Sequence, residues 1–406
     1  MNNKTPSMFA APVGAIATFA AALLPLLLAA CGGGAETKTG SNGTGVAPPP
    51  ELGVTSGPIA GLGPLDVAGA RLDDATTVVL VNTSATQTSA ELRLGMFADA
   101  AGNVVLGIAA GAATAANAQS LVRGPVTRVD AAAQSLSVLS LPVRVDQNTL
   151  LDGVNGIGDI VLGDSTEVYG LKLPGNAGTL ATRLVVRRPA VGNEVELLGT
   201  VGNLNASSLV ADGVQVSLAS VQVGVASPGG VQFSAAPVNA LVPGALVRVI
   251  GTYNTETGVV MATRIATGFA PARPDTRLVY IEGFVREFAG VGRFKVGDLD
   301  VDASGTTAAL AEGARVKVRG RMQGNVLRAD QLSVVPPGTR IEFILEGTVS
   351  SYTSIGSFSL RGERVDASQA QFVGGAAANL QDGRRVRVKG VAGPGRLTAS
   401  EVTFVQ

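Results

Sequence analysis

The chain has 406 residues, 31 Lys+Arg against 31 Asp+Glu, no His, no Trp and one Cys. Without imidazole, His-based acid–base and triad chemistry is excluded, and a lone thiol excludes a disulfide framework or a Cys-rich metal site. Hydrophobic residues make up 46% with only 4% aromatic, and zero formal charge on so aliphatic a chain implies folded β structure with several small cores rather than disorder.

Lys4 is the only charged side chain among the first thirty residues, and an apolar run over residues 8–30 ends in Leu28-Ala29-Ala30-Cys31. A basic start, an apolar middle and small residues before a cut site make a secretory signal over 1–30. The last four residues resemble the lipobox of bacterial lipoproteins. That resemblance implies cleavage before Cys31, lipidation of its sulfur, acylation of the new amino terminus (palmitate-type chains), and a membrane as partner through the lipid. An uncleaved anchor is the competing reading, since the run is long enough to span a bilayer. Gly14, Thr18, Pro25 and the glycines Gly32, Gly33 and Gly34 argue against it. Gly32 after the Cys implies, by the same resemblance, an outer-membrane lipoprotein facing the periplasm or the cell surface. Residues 31–52 are rich in Gly, Ser, Thr and Asn and end near Pro48-Pro49-Pro50, which reads as a flexible tether.

Beyond the tether, a Gly two residues before Val or Ile recurs at Gly57, Gly124, Gly199, Gly283 and Gly347, spaced 67, 75, 84 and 64 apart. These divide the chain into β units over 53–118, 120–190, 193–270, 277–336 and 341–406. A second pattern follows within each unit. Val316-Lys317-Val318-Arg319-Gly320 precedes Ala329 and Leu332, and Val386-Arg387-Val388-Lys389-Gly390 precedes Ala399 and Val402. The alternation predicts a hairpin. Unit three has Val247-Arg248-Val249-Ile250-Gly251 and unit two has Val168-Tyr169-Gly170. Unit one has only Leu92-Arg93-Leu94-Gly95 with Val104-Val105-Leu106, and is the most divergent.

Unit four predicts five strands, over 279–288, 293–296, 299–302, 314–319 and 326–334, with a connection at 306–310 of helical character. So small a unit must close on itself to cover its edges, and five strands broken between the third and fourth make an OB-like barrel. The fold class expected is therefore all-β, with tandem small five-stranded OB-like barrels in a row. Pro271 to Pro274 and Pro336-Pro337 punctuate the unit boundaries. The lipobox, the Gly-x-Val start and the Val-x-Val-x-Gly hairpin together resemble a bacterial family of tandem domains of unknown function, common in proteobacterial lipoproteins. Units four and five carry the resemblance best, and it brings no catalytic residues.

Motifs for chemistry are few. No Gly-x-Ser-x-Gly elbow and no Ser-x-x-Lys spacing occurs, so no catalytic residue is assigned. Asp298-x-Asp300-x-Asp302 opens like a calcium loop, but Ala303 and Ala309 stand where Gly and Glu are required, so the acids read as the wet face of a strand. Gly153, Gly156 and Gly158 resemble a phosphate loop without its Lys and read as a turn-rich insertion. No metal and no cofactor is expected. The strongest positive feature is basic: Arg315, Lys317, Arg319 and Arg321 share one strand face, as do Arg385, Arg387 and Lys389. Residues 277–406 carry 17 Lys+Arg against 13 Asp+Glu, and residues 31–276 carry 13 against 18. The expectation is a non-enzymatic, lipid-anchored array of binding or scaffolding modules, with envelope glycan or protein as partner and no specific nucleic acid. One alternative is a polyanion binder using the basic faces for anionic glycan, lipid headgroups or extracellular DNA. Another is a glycan-active enzyme using paired carboxylates.

Overall fold

The computed structural model describes residues 51–405 except 87, 105–109, 176, 189–192, 220, 228–229, 235–240, 270–272 and 276. Cys31, the leader, most of the tether, and Val105, Leu106 and Pro271 lie outside the described residues. The chain is all-β, and among the described residues there is no α-helix.

Barrel one comprises β1 (Glu51–Leu62), β2 (Leu65–Val67), β3 (Ala70–Asp73), β4 (Val78–Val81), β5 (Ser84–Thr86), β6 (Phe97–Val104) and β7 (Gly111–Ala118). Barrel two comprises β8 (Val122–Asp130), β9 (Ser135–Val138), β10 (Leu141–Arg144), β11 (Leu150–Asp152), β12 (Ser165–Lys172) and β13 (Thr179–Arg187). Barrel three comprises β14 (Glu194–Gly202), β15 (Ser208–Ala211), β16 (Val214–Ser217), β17 (Gln222–Ser227), β18 (Gly230–Ser234), β19 (Leu246–Asn254) and β20 (Val259–Thr267). Barrel four comprises β21 (Leu278–Arg286), β22 (Phe294–Val296), β23 (Leu299–Asp302), β24 (Arg315–Gln323) and β25 (Val326–Val335). Barrel five comprises β26 (Phe343–Ser354), β27 (Ser357–Leu360), β28 (Glu363–Asp366), β29 (Gln371–Val373), β30 (Arg385–Gly393) and β31 (Arg396–Phe404).

In barrel four the first strand pairs antiparallel with the second, the second with the third, and the third runs parallel to the fifth. The fifth then pairs antiparallel with the fourth, which returns to the first. The same circuit closes through β26–β27–β28–β31–β30 and through β8–β9–β10–β13–β12. Barrels three and one close in the same order. Closure removes the edges that so small a sheet would otherwise expose. The five strands expected in unit four are all present, but residues 306–310 form no helix. The ten residues between Asp302 and Gly313 make single turns instead, Thr306 N donating to Ala303 O at 2.9 Å and Ala314 N to Ala311 O at 3.1 Å.

Both sequence landmarks have a backbone cause. The Val or Ile of each Gly-x-Val exchanges two main-chain hydrogen bonds with the turn before the fourth strand: in barrel five, Val349 N donates to Arg384 O at 2.8 Å and Gly383 N to Val349 O at 3.0 Å. The Gly two residues earlier lies under the hairpin of strands two and three, where a Cβ at Gly347 would stand 2.9 Å from Arg361 Cγ. The Gly ending Val-x-Val-x-Gly sits at a β-bulge, with register shifts at Gly170, Gly251, Gly320 and Gly390. There a methyl would run into a carbonyl oxygen of the fifth strand.

Barrel one corrects the sequence expectation. Its bulge is at Gly102 on β6, and Leu92-Arg93-Leu94-Gly95 is the turn ahead of that strand, with Gly95 N donating to Ile59 O at 2.8 Å. Small side chains replaced the valines of β6, Ala98 and Ala100 being buried, which erased the Val-x-Val signal.

The barrels do not stand independently in a row. β1 runs parallel to β21 through Gly53↔Leu278 and to β26 through Gly61↔Ile344, so barrels one, four and five form one hydrogen-bonded sheet system. Barrels two and three form another through β8 and β14. One apolar core joins barrels one and five, including Ile59, Leu65, Leu345 and Val388. A second joins barrels two and three, and barrel four keeps its own around Phe294 and Val318.

Candidate functional site

The two basic stripes lie on the fourth strands of barrels four and five, opposite acids on the first strands. Glu282 sits directly across from Lys317, and Glu346 across from Arg387. Glu282 is 5% exposed and accepts from Arg315 Nε at 2.8 Å, with Lys317 Nζ at 3.6 Å. Glu346, 8% exposed, accepts from Arg385 Nη2 at 3.0 Å and from Arg387 Nη2 at 2.7 Å. Arg319 pairs with Asp330 at 3.3 Å, Arg321 with Glu51 of barrel one, and Lys389 with Glu401 at 3.1 Å. Every residue of the stripes therefore has a carboxylate partner. The partners went unread in the sequence, although each of the two glutamates immediately precedes a landmark Gly, in Glu282-Gly283 and Glu346-Gly347. An antiparallel match of first and fourth strands would have found them.

Arg315 and Lys317 do not face open water alone. They line a cavity of about 410 Å³ together with Asp66, Asp146, Glu282 and Arg340, which come from barrels one, two and four and the connection before barrel five. Burial raises the Asp66 carboxyl above its usual range, although Lys317 and Arg71 pull it down. Phe343 and Ile341 supply apolar wall. Carboxylates and cations are thus mixed around one space. The walls can hold a small polar molecule, but Glu282 is already committed to Arg315 and Lys317.

Two buried charge networks tie barrels together. Arg183 on β13, 3% exposed, donates to both oxygens of Glu363 on β28 at 2.8 and 3.1 Å and to Leu94 O at 3.1 Å. It also reaches Asp152 Oδ2 at 3.0 Å. Leu94 N donates to the same Glu363 at 3.0 Å, so barrels one, two and five meet on one ion pair. Arg248, fully buried, donates to Glu196 at 3.0 Å, to Gln119 at 2.6 Å and to Ser120 O at 2.9 Å, and its guanidinium lies 5.5 Å from the Phe269 ring centre. Arg248 stood in the sequence only as part of the unit-three hairpin pattern, and nothing marked either network, because the partners lie 31 to 269 positions away.

The repeat seen in the topology has a counterpart in the comparisons. Residues 123–184 and 346–403 match a family model described as Domain of unknown function (DUF5666). Those spans are the bodies of barrels two and five, so the chain carries two matching copies in tandem. No curated protein matches the chain. The matched spans include Arg385, Arg387 and Lys389 but not Arg315, Lys317, Arg319 or Arg321.

The other sequence-noted motifs take structural roles. Asp298 pairs with Arg273 at 3.2 Å, and Asp302 pairs with Arg328. Leu299 and Val301 between them are buried while Asp300 is exposed, as a strand with one wet face requires. Among the described residues no cluster of acids has metal-site geometry. Gly153 adopts φ +86° in a turn after β11, and residues 157–159 form one 3₁₀ turn.

Proposed function

We propose that this chain is a lipid-anchored cell-envelope protein whose barrels act as a non-catalytic binding or scaffolding array. The observation that carries the array is the fivefold circuit of closed barrels, two of them matching a repeated domain, joined by shared ladders and buried ion pairs. Leu28-Ala29-Ala30-Cys31 supports the anchor: acylation at Cys31 would supply more than one chain, and one chain alone binds membranes marginally. A compact block held on a flexible tether suits presentation of a surface clear of the lipid. The neutralised stripes support scaffolding over ionic capture of a polymer, which needs uncompensated cations. The mixed cavity supports the same reading, since a retaining glycosidase needs two carboxylates free to act.

The test is metabolic labelling with tritiated palmitate in a bacterial host with lipoprotein processing. The wild-type chain is expected to take up label and fractionate with membranes. Cys31→Ser should lose the label and leave the membrane fraction. Label retained in Cys31→Ser, or a mature mass with residues 1–30 still attached, overturns the anchor.

A further inference from the structure

In four of the five barrels the fifth strand carries an additional parallel strand beyond the one that closes the ring. β4 pairs with residues 115–118 of β7, β11 with 183–185 of β13, β17 with 264–267 of β20, and β29 with 401–403 of β31. Among the described residues barrel four has no such strand. Its β25 is paired on the outer side only at residues 326–328, by β23. Among the described residues nothing bonds to the backbone edge beyond that point. Register places Val334 where barrel five has Phe404, since Val316↔Val334 corresponds to Val386↔Phe404. Gln331, Leu332 and Ser333 of barrel four therefore correspond to Glu401, Val402 and Thr403.

The cause is length. Barrel five has sixteen residues between Asp366 and Gly383 and barrel four ten between Asp302 and Gly313, so the filler segment is missing. The consequence is exposure. Val402 is fully buried, whereas Leu332 is only half-buried and Gln331, Ser333 and Val334 are exposed. Leu332 and Leu310 pack on the barrel's core from this side, giving the open edge an apolar floor. An unpaired strand edge is a ready template for another strand, and most proteins blunt it.

We infer that β25 of barrel four accepts an extended segment of another polypeptide, running parallel to Gln331–Ser333 as an added strand. The four internal fillers show what fits. Each places an apolar side chain inward, as with Val79 at 0% and Val223 at 4% exposure and Leu151 against the core of barrel two. In barrel five Phe372 packs against Phe404 with ring centres 6.4 Å apart. The partner strand therefore carries a branched aliphatic or aromatic residue at the central position, flanked by residues that tolerate water. Main-chain bonds supply the affinity and that one side chain, set over Leu332 and Val334, the selectivity. This surface is separate from the lipid anchor, and its test does not depend on acylation.

The probe is a fluorescein-labelled peptide with the sequence of residues 368–375, the filler of barrel five, titrated into residues 48–406 by anisotropy. Saturable binding is expected, weakened roughly tenfold or more when Pro replaces Phe at the peptide's central position, because Pro removes a ladder donor. Hydrogen exchange in the wild-type protein should slow at 331–333 on peptide addition and not at the filled edge 401–403. Replacing residues 304–311 with 368–381 supplies the filler in cis and should abolish binding. No saturable binding, protection elsewhere, or undiminished binding to a folded cis-filled variant overturns the inference. If that variant does not fold, the exchange map of the wild type decides. A dimer without peptide, protected at 331–333, would assign the edge to a second copy and also overturn it.

Discussion

At the scale of single residues, charge in this protein is spent on joining strands and barrels. Asp99 on β6 shows the cost where the joining is incomplete. It is half-buried and accepts from Ser56 Oγ. Arg273 reaches that hydroxyl at 3.3 Å and is shared with Asp298. Desolvation pushes the carboxyl up from 3.8 to about 6, Asp298 adds to the rise, and the Ser56 bond and Arg273 only partly offset it. A folded-state value above the unfolded one means the folded chain binds the extra proton between about pH 4 and 6. Stability linked to Asp99 is therefore fully present below pH 4 and lost as pH rises to 6. The shift corresponds to about 1–2 kcal/mol once partial exposure is discounted. Asp99→Asn keeps an acceptor for Ser56 and removes the charge. It should raise stability at pH 7 by that amount, and flatten the pH 4–6 slope in urea melts; a less stable variant at pH 7 would mean that the carboxylate earns its place through Arg273.

At the scale of strands, what could be read in advance was what the backbone dictates locally. Gly283 and Gly320 are visible because no side chain fits beneath the hairpin or against the bulge carbonyl, and that constraint repeats every barrel. The basic stripe was legible as a face, but the glutamates opposite were not, because cross-strand partners are set by register rather than by spacing along the chain. Arg183–Glu363, separated by 180 positions, left no local trace at all. Barrel one was hardest to read because alanines fill the sites that valines mark elsewhere. The bulge itself makes a sharp prediction. Gly390→Ala drives a methyl into the Thr398 carbonyl, a backbone atom that cannot swing away, and should cost more than about 2 kcal/mol. Gly202→Ala on β14 meets nothing nearer than Val210 O at 3.7 Å and should change stability by less than about 1 kcal/mol. Thermal melts of the two variants, with equal losses, would refute the steric account of the motif.

At the scale of the whole molecule, residues 48–406 form one compact unit, and the joints explain why. β1 supplies hydrogen bonds to three barrels at once: its own, barrel four and barrel five. The Arg183–Glu363 pair lies where barrels one, two and five meet, with both side chains less than a tenth exposed. Removing one member of such a pair leaves an unpaired buried charge, which costs about 3–5 kcal/mol. If the barrels were separate folding units, that cost would fall on barrels two and five alone. If the joints couple them, it falls on the whole. The four tyrosines allow the distinction without tryptophan: Tyr169, Tyr253, Tyr280 and Tyr352 lie in barrels two, three, four and five respectively. Variants retaining a single tyrosine, the others changed to Phe, report each barrel by fluorescence during urea unfolding. Shared midpoints are expected for Tyr253, Tyr280 and Tyr352, matching far-UV circular dichroism, and Glu363→Ala should lower all three together. A transition for Tyr280 that stays put while Tyr352 moves would show that barrel four folds on its own and that the parallel ladder from β1 to β21 carries no coupling.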